Sequence, residues 1–192
     1  AYNMICAFLG ANWYAVVATI ALGALTVAHI VYAFILTAQN RSARGNERYA
    51  VNGSSPKVEW ASKNMLVLGI IVLLGILLHL FNFWYNMMFA EIVGFEGKYS
   101  PTAGYSYIVE TFKNPVFVVL YIVWLCAIWY HLSHGFWSAM QTLGINGKIW
   151  FKRWKMIGLV YTTLLMLGFL IVVLAFTFGC APSLHSACCL IH

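Results

Sequence analysis

Four stretches of this 192-residue chain, 1–40, 64–90, 114–147 and 156–192, contain no Asp, Glu, Lys or Arg. Each exceeds the roughly 20 residues that a helix needs to cross about 30 Å of hydrocarbon. With 62% hydrophobic and only 8% charged residues, and a mean hydropathy of +0.82, the chain lies outside the range of soluble domains. In lipid every backbone amide must find its partner inside the protein, which leaves helices and closed barrels. The runs lack the apolar–polar alternation of a barrel strand, so helices follow. The expected fold class is all-α: a transmembrane helical bundle with four spanning helices near 11–38, 63–90, 115–143 and 155–179, in one domain over 1–192. Residues 180–192 are a tail to which the pattern assigns no structure.

The basic residues orient this bundle. Connection 39–63 carries Arg41, Arg44, Arg48, Lys57 and Lys63, and connection 144–155 carries Lys148, Lys152, Arg153 and Lys155, whereas 91–114 has only Lys98 and Lys113. By the positive-inside rule the first and third connections are cytoplasmic, the middle one is external, and both chain ends lie outside. Trp13, Tyr14, Trp60, Trp150 and Trp154 fall near helix ends, where amphipathic rings anchor at headgroup level. The net charge of +6 reflects this topology and attraction to anionic lipid, and does not point to nucleic acid. No Gly-rich phosphate loop, nucleophile elbow or metalloprotease motif is present, so the chain carries no sign of hydrolytic or kinase activity. It opens Ala1-Tyr2-Asn3 without the basic region and cleavage site of a signal peptide. With the chain entering from outside, a segment upstream is expected.

His29, His79 and His131 each lie deep within a separate uncharged run. An ionisable side chain at membrane depth is costly and usually faces a bundle interior or a cofactor. Haem iron is a centre that takes neutral imidazoles from opposing helices. At 1.5 Å rise per residue, His29 and His131 sit roughly 14 and 18 Å below the cytoplasmic ends of their helices, and His79 roughly 24 Å from the cytoplasmic end of its own. The first two can share one plane. His79 lies in the outer half and has no other deep histidine to meet. Ala33, Gly75 and Gly135 each stand four residues from one of these histidines, on the same face one turn away, which leaves room for a porphyrin edge. The structural alternative is three histidines hydrogen-bonded to neighbouring helices, with the glycines serving helix packing. His134, three residues after His131, is a weaker candidate: an alternative ligand, a donor to a haem edge or a packed polar residue. Ser133 is expected to bond back to its own helix backbone.

The string His131-Leu132-Ser133-His134-Gly135-Phe136-Trp137, continuing Ser138-Ala139-Met140-Gln141-Thr142-Leu143-Gly144, resembles the haem-ligand helix of the cytochrome b membrane anchor of succinate dehydrogenases and fumarate reductases. Ala28-His29-Ile30-Val31-Tyr32-Ala33 running into Gln39-Asn40-Arg41, and Leu78-His79-Leu80-Phe81-Asn82-Phe83-Trp84-Tyr85, agree with it. The resemblance covers roughly 1–178 and is closest to the single-polypeptide, two-haem, menaquinone-linked type of Bacteroidetes-like bacteria. It implies that His29 and His131 are the axial pair of the proximal haem b, near a cytoplasmic iron–sulfur subunit, and that His79 is one ligand of the distal haem. The family's other distal ligand sits on a helix before the first one seen here. This implies a five-helix protein that lacks its first helix, in accord with the depth argument that left His79 alone.

The resemblance also implies the surroundings. The anchor itself is non-catalytic: electrons from succinate pass through a flavoprotein subunit and the iron–sulfur subunit to haem and on to menaquinone, or in reverse for fumarate reduction. The location implied is the bacterial inner membrane, as a multi-pass protein. Arg41, Arg44, Arg48, Lys148, Lys152 and Arg153 are then candidates to neutralise propionates or to meet the soluble subunits. Glu91, Glu96 and Glu110 are candidate acceptors of quinone protons, and Asn82, Trp84 and Tyr85, with Asn86, are candidates for the quinone side. Some two-haem members carry a Glu two residues before the proximal ligand where this chain has Trp129, so that proton route is not carried over. The Cys and His of residues 180–192 fit no standard zinc spacing, and Cys6 and Cys126 are small membrane residues. Two alternatives remain open: the cytochrome b of another quinone-linked enzyme, such as a hydrogenase or formate dehydrogenase, and a haem-free transporter or scaffold.

Overall fold

The computed structural model describes residues 2–10, 12–44, 60–95, 97–145 and 147–179. These residues are helical with no strand among them, and four helices are long and apolar enough to cross a membrane. The first span is Trp13–Arg44, the second Met65–Val93, the third Pro115–Thr142 and the fourth Lys148–Thr177. Three further helices precede or join them: Tyr2–Gly10 at the N-terminal side, Trp60–Lys63 before the second span, and Gly104–Lys113 between the second and third.

Local chemistry explains most of the boundaries. Asn12 accepts from the Tyr14 amide at 3.0 Å, and Asn114 from the Val116 amide at 3.0 Å with Pro115 at the first helical position; both are ordinary N-terminal caps. The second span ends at Gly94, whose φ of 72° is the left-handed cap, and the Phe95 amide donates back to the Ala90 carbonyl at 2.9 Å. The fourth span starts at Lys148, not near 155, and the first runs on to Arg44. Both differences have one cause. Lysine and arginine stems lie along apolar surface while their heads reach water, so a cationic turn continues a helix beyond the hydrocarbon. Within the spans, Thr19, Thr26, Thr37, Thr142 and Thr177 all donate to the carbonyl four residues back, which hides their hydroxyls from lipid.

The third and fourth spans pack most extensively on each other, and the second lies against the third. Small residues make these approaches close, as membrane helix pairs require. Trp124 lies flat in the notch of Gly75 and donates from Nε1 to the Val72 carbonyl at 3.0 Å. Phe136 sits on Gly158, where an added Cβ would meet its Cδ1 at 2.7 Å. The core is Ile108, Phe112, Val118, Tyr121, Leu125, Met166 and Val173. The first span differs from the others, because none of its apolar stretch is buried inside the protein.

Helix Gly104–Lys113 closes one end of the bundle. It buries Tyr107, Ile108, Thr111 and Phe112 and packs on the third and fourth spans. Its Tyr105 amide donates to Asn3 Oδ1 at 3.0 Å, which ties it to helix Tyr2–Gly10. Lys98 pairs with Glu110 across the preceding loop, and the hydrogen bond from Lys98 holds the Glu110 carboxyl below its ordinary 4.5. A carboxylate with a lowered folded value contributes stability at neutral pH and loses it as pH falls through that lowered value. The small melting difference expected between wild type and Glu110→Gln at neutral pH therefore closes below about pH 4, and a gap that widens there in a thermal scan would refute this pairing.

Candidate functional site

His29 projects from the middle of the first span and His131 from the third, and their rings lie 6.1 Å apart between centroids with planes at 83°. Metal–imidazole bonds of about 2.0 Å on opposite sides of one ion, plus the ring radii, place two such centroids about 6 Å apart. The separation therefore suits a shared metal axis. His131 Nδ1 is buried and finds no hydrogen-bond partner among the described residues; it lies on the ring edge that faces Gly69, not on the Nε2 side. One edge of its ring rests on Gly69 of the second span, where an added Cβ would still be 3.6 Å from Cε1. Gly135, one turn beyond His131, has open space around it, and a Cβ there would meet nothing within 4 Å.

A flat macrocycle fits this setting on three counts. The first span stands away from the bundle with an unburied apolar face, the imidazoles approach at the right separation, and the Gly135 side is clear. His134 instead packs on Trp137 at 4.7 Å, and Ser133 donates to its own Tyr130 carbonyl at 3.4 Å, as expected. Trp129 donates from Nε1 to Thr163 Oγ1 at 2.9 Å, which commits it to the fourth span.

His79 has different company. Its ring lies 5.1 Å from Phe83, 5.6 Å from Trp124 and 6.3 Å from Tyr121. It opens on a cavity of about 430 Å³ lined also by Ile108, Phe112 and Met166. Among the described residues no group of three or more His, Cys, Asp or Glu gathers there or elsewhere, so this site offers one axial nitrogen. The expectation that Gly75 clears space for a porphyrin edge is corrected: the notch holds the Trp124 indole, because a membrane helix glycine is as readily filled by a neighbour's ring as by a ligand. Gly75 thus packs helices, while Gly135 keeps the open face.

The winding changes immediately after His79. Residues Leu80–Phe89 form a π-helix, a form that is rare and often marks functional positions. Asn86 supports it by donating to the Phe81 carbonyl five residues back at 3.0 Å and to that of Asn82 at 3.2 Å. The quinone-side candidates separate here. Asn82 turns inward and donates to the Tyr121 hydroxyl at 3.3 Å. Trp84 packs on Phe89 with a buried Nε1 that finds no acceptor among the described residues. Tyr85 is exposed in a ladder with Phe81 and Phe89. Tyr121 and Trp124 are the residues that sequence reasoning missed. Their one signal was polar-tipped aromatics deep in a span, seven and ten residues before His131.

The acidic candidates lie outward of this cavity. Glu91 packs over Gly10 and, with Phe95, Lys98 and Tyr99, lines an open cavity of about 570 Å³. Glu110 is engaged by Lys98. Glu96, Arg48, Lys57 and the tail from Cys180 to His192 lie outside the described residues, as does the side chain of Arg44. Arg41, Lys148, Lys152 and Arg153 are exposed at the end of the bundle opposite helix Gly104–Lys113. Comparison of the chain with protein-family models, with curated proteins and with solved structures yields no match.

Proposed function

We propose that this multi-pass membrane protein is the haem b-carrying anchor of a succinate:quinone oxidoreductase or fumarate reductase, in a bacterial inner membrane. The observation that carries the reading is the 6.1 Å approach of His29 and His131 across two spans. His29 and His131 are the residues that would hold haem b, which would supply single-electron transfer there. The protein's part is geometric and electrostatic. His29 and His131 present Nε2 lone pairs, which requires each to keep its proton on Nδ1. The clear side of Gly135 accommodates a flat edge, and the cationic end at Arg41 faces the flavoprotein and iron–sulfur subunits.

Menaquinone is assigned to the outer half, beside His79. The aromatic cavity there and the Asn82–Tyr121 hydrogen bond supply an apolar slot with a polar edge. His79 is the residue that would hold a distal haem on this side. The test is a dithionite-reduced minus oxidised spectrum of the purified chain, expressed with haem supplied, with haem counted per polypeptide. One b-type haem per chain is the expected result. No haem in folded material would overturn the reading in favour of a haem-free scaffold.

A further inference from the structure

We propose that the cytoplasmic end of the fourth span is a binding site for one anionic phospholipid, with Lys148, Lys152 and Arg153 on its phosphate diester and the helix flank below them on its acyl chain. This inference does not rest on the haem reading. Residues 111–192 contain no Asp or Glu, so these cations have no carboxylate from either packed span to neutralise them. All three are exposed.

Their placement separates a lipid from a soluble partner. At 100° per residue, Ile149, Met156, Val160 and Leu167 fall on one stripe of the helix, and they are 68%, 62%, 49% and 48% exposed. Lys148 and Lys152 flank that stripe on one side and Arg153 on the other. The charges thus border an apolar track that runs down into the hydrocarbon. A surface made for a water-soluble protein would have no use for this continuity, whereas a phospholipid has its phosphate and its chains in that order.

The cations also stand on a rigid base. Trp154 donates from Nε1 to the Ile145 carbonyl at 2.7 Å and stacks on Trp150 at 5.5 Å. The Arg153 guanidinium lies 5.1 Å over the Trp150 ring, and Lys155, two residues further on, lies 4.3 Å over Trp137 of the third span. Cation–aromatic contacts of this kind order long side chains before a ligand arrives, which lowers the cost of ordering them on binding. The positive end of the bundle faces the leaflet whose anionic lipids attract such charges.

The experiment titrates the full chain in mild neutral detergent with dioleoylphosphatidylglycerol or dioleoylphosphatidylcholine and counts retained lipid by native mass spectrometry. The expected result is one phosphatidylglycerol held at least about 10-fold more tightly than phosphatidylcholine, with that preference lost in Lys148→Gln/Lys152→Gln/Arg153→Gln. The single variant Met156→Asn is expected to weaken retention while leaving all three charges in place. Equal retention of the two lipids by the wild type would overturn the proposal. So would a triple variant that keeps the preference, or one that loses only a soluble partner from native membranes, since the cations would then serve a protein. Helicity by circular dichroism separates loss of the site from loss of the fold.

Discussion

His131→Ala is expected to purify as a folded membrane protein with no b-type haem, and His29→Ala to do the same, while His134→Ala retains the haem of the wild type. The first two remove a nitrogen from the pair that approaches at 6.1 Å. The third removes a ring that rests on Trp137. Outer-shell partners of a metal site are already worth about 10- to 100-fold in affinity, so removing a direct ligand is expected to empty the site at ordinary haem concentrations. A mechanical consequence accompanies the loss. The first span buries none of its apolar stretch in the bundle, and its ring contact with the third span is this histidine pair. Without a bridge the span is held by its connections and by helix Tyr2–Gly10. Spin labels placed near the C-terminal ends of the first and third spans are expected to report a broader distance distribution in His131→Ala than in the wild type. Haem retention by His131→Ala would sink the pairing; an unchanged distribution after haem loss would sink only the bridging role.

What could be read from sequence was governed by how local the cause was. The four spans follow from charge-free runs, because the bilayer penalises a charge wherever the rest of the chain goes. The meeting of His29 and His131 was anticipated from depth, since both spans cross one bilayer and their histidines fall at similar depth below the same ends. Elements outside the hydrocarbon were not legible in the same way. Helix Gly104–Lys113 is amphipathic and held by burial of Tyr107 and Phe112 against other spans, a tertiary cause with little trace in a run of ten residues. The π-helix from Leu80 to Phe89 was equally hidden. Its one side-chain accompaniment, the Asn86 amide on a carbonyl five residues back, is a single asparagine in an aromatic stretch and no signal by itself. That change of winding is also what divides Asn82 from Tyr85, which a uniform α-helix would have set at a different angle. Gly75 and Gly135 looked alike in sequence, each four residues from a histidine. Only the facing helix distinguishes them: the third span puts Trp124 against Gly75, and nothing lies within 4 Å of a Cβ at Gly135.

Gly75→Ala is for that reason the substitution expected to cost the bundle most among its glycines, and Gly69→Ala is its control. A Cβ at Gly75 would overlap Cδ1, Cγ and Nε1 of Trp124 together. The indole is a rigid plate caught by its flat side, so it cannot yield by swinging a flexible tip. To make room it must leave the notch, which breaks the 3.0 Å bond to the Val72 carbonyl and strands a donor in an apolar interface. Overpacking of about 1–3 kcal/mol, with a lost buried hydrogen bond of about 1–3 kcal/mol, sets the expected destabilisation at roughly 2–6 kcal/mol. At Gly69 the added Cβ would stand 3.6 Å from His131 Cε1, an ordinary contact, and the change is expected to stay within about 1 kcal/mol of the wild type, because helix propensity favours alanine. Both variants sit on the second span six residues apart, so equilibrium unfolding in SDS and mixed micelles compares them under one reference state. Trp124→Phe made in the Gly75→Ala background is expected to recover part of the loss, since the smaller ring has less to displace and no N–H to strand. Equal stability of Gly69→Ala and Gly75→Ala would mean that Trp124 does not occupy the notch, and the Gly75 face would again be open to a ligand of His79.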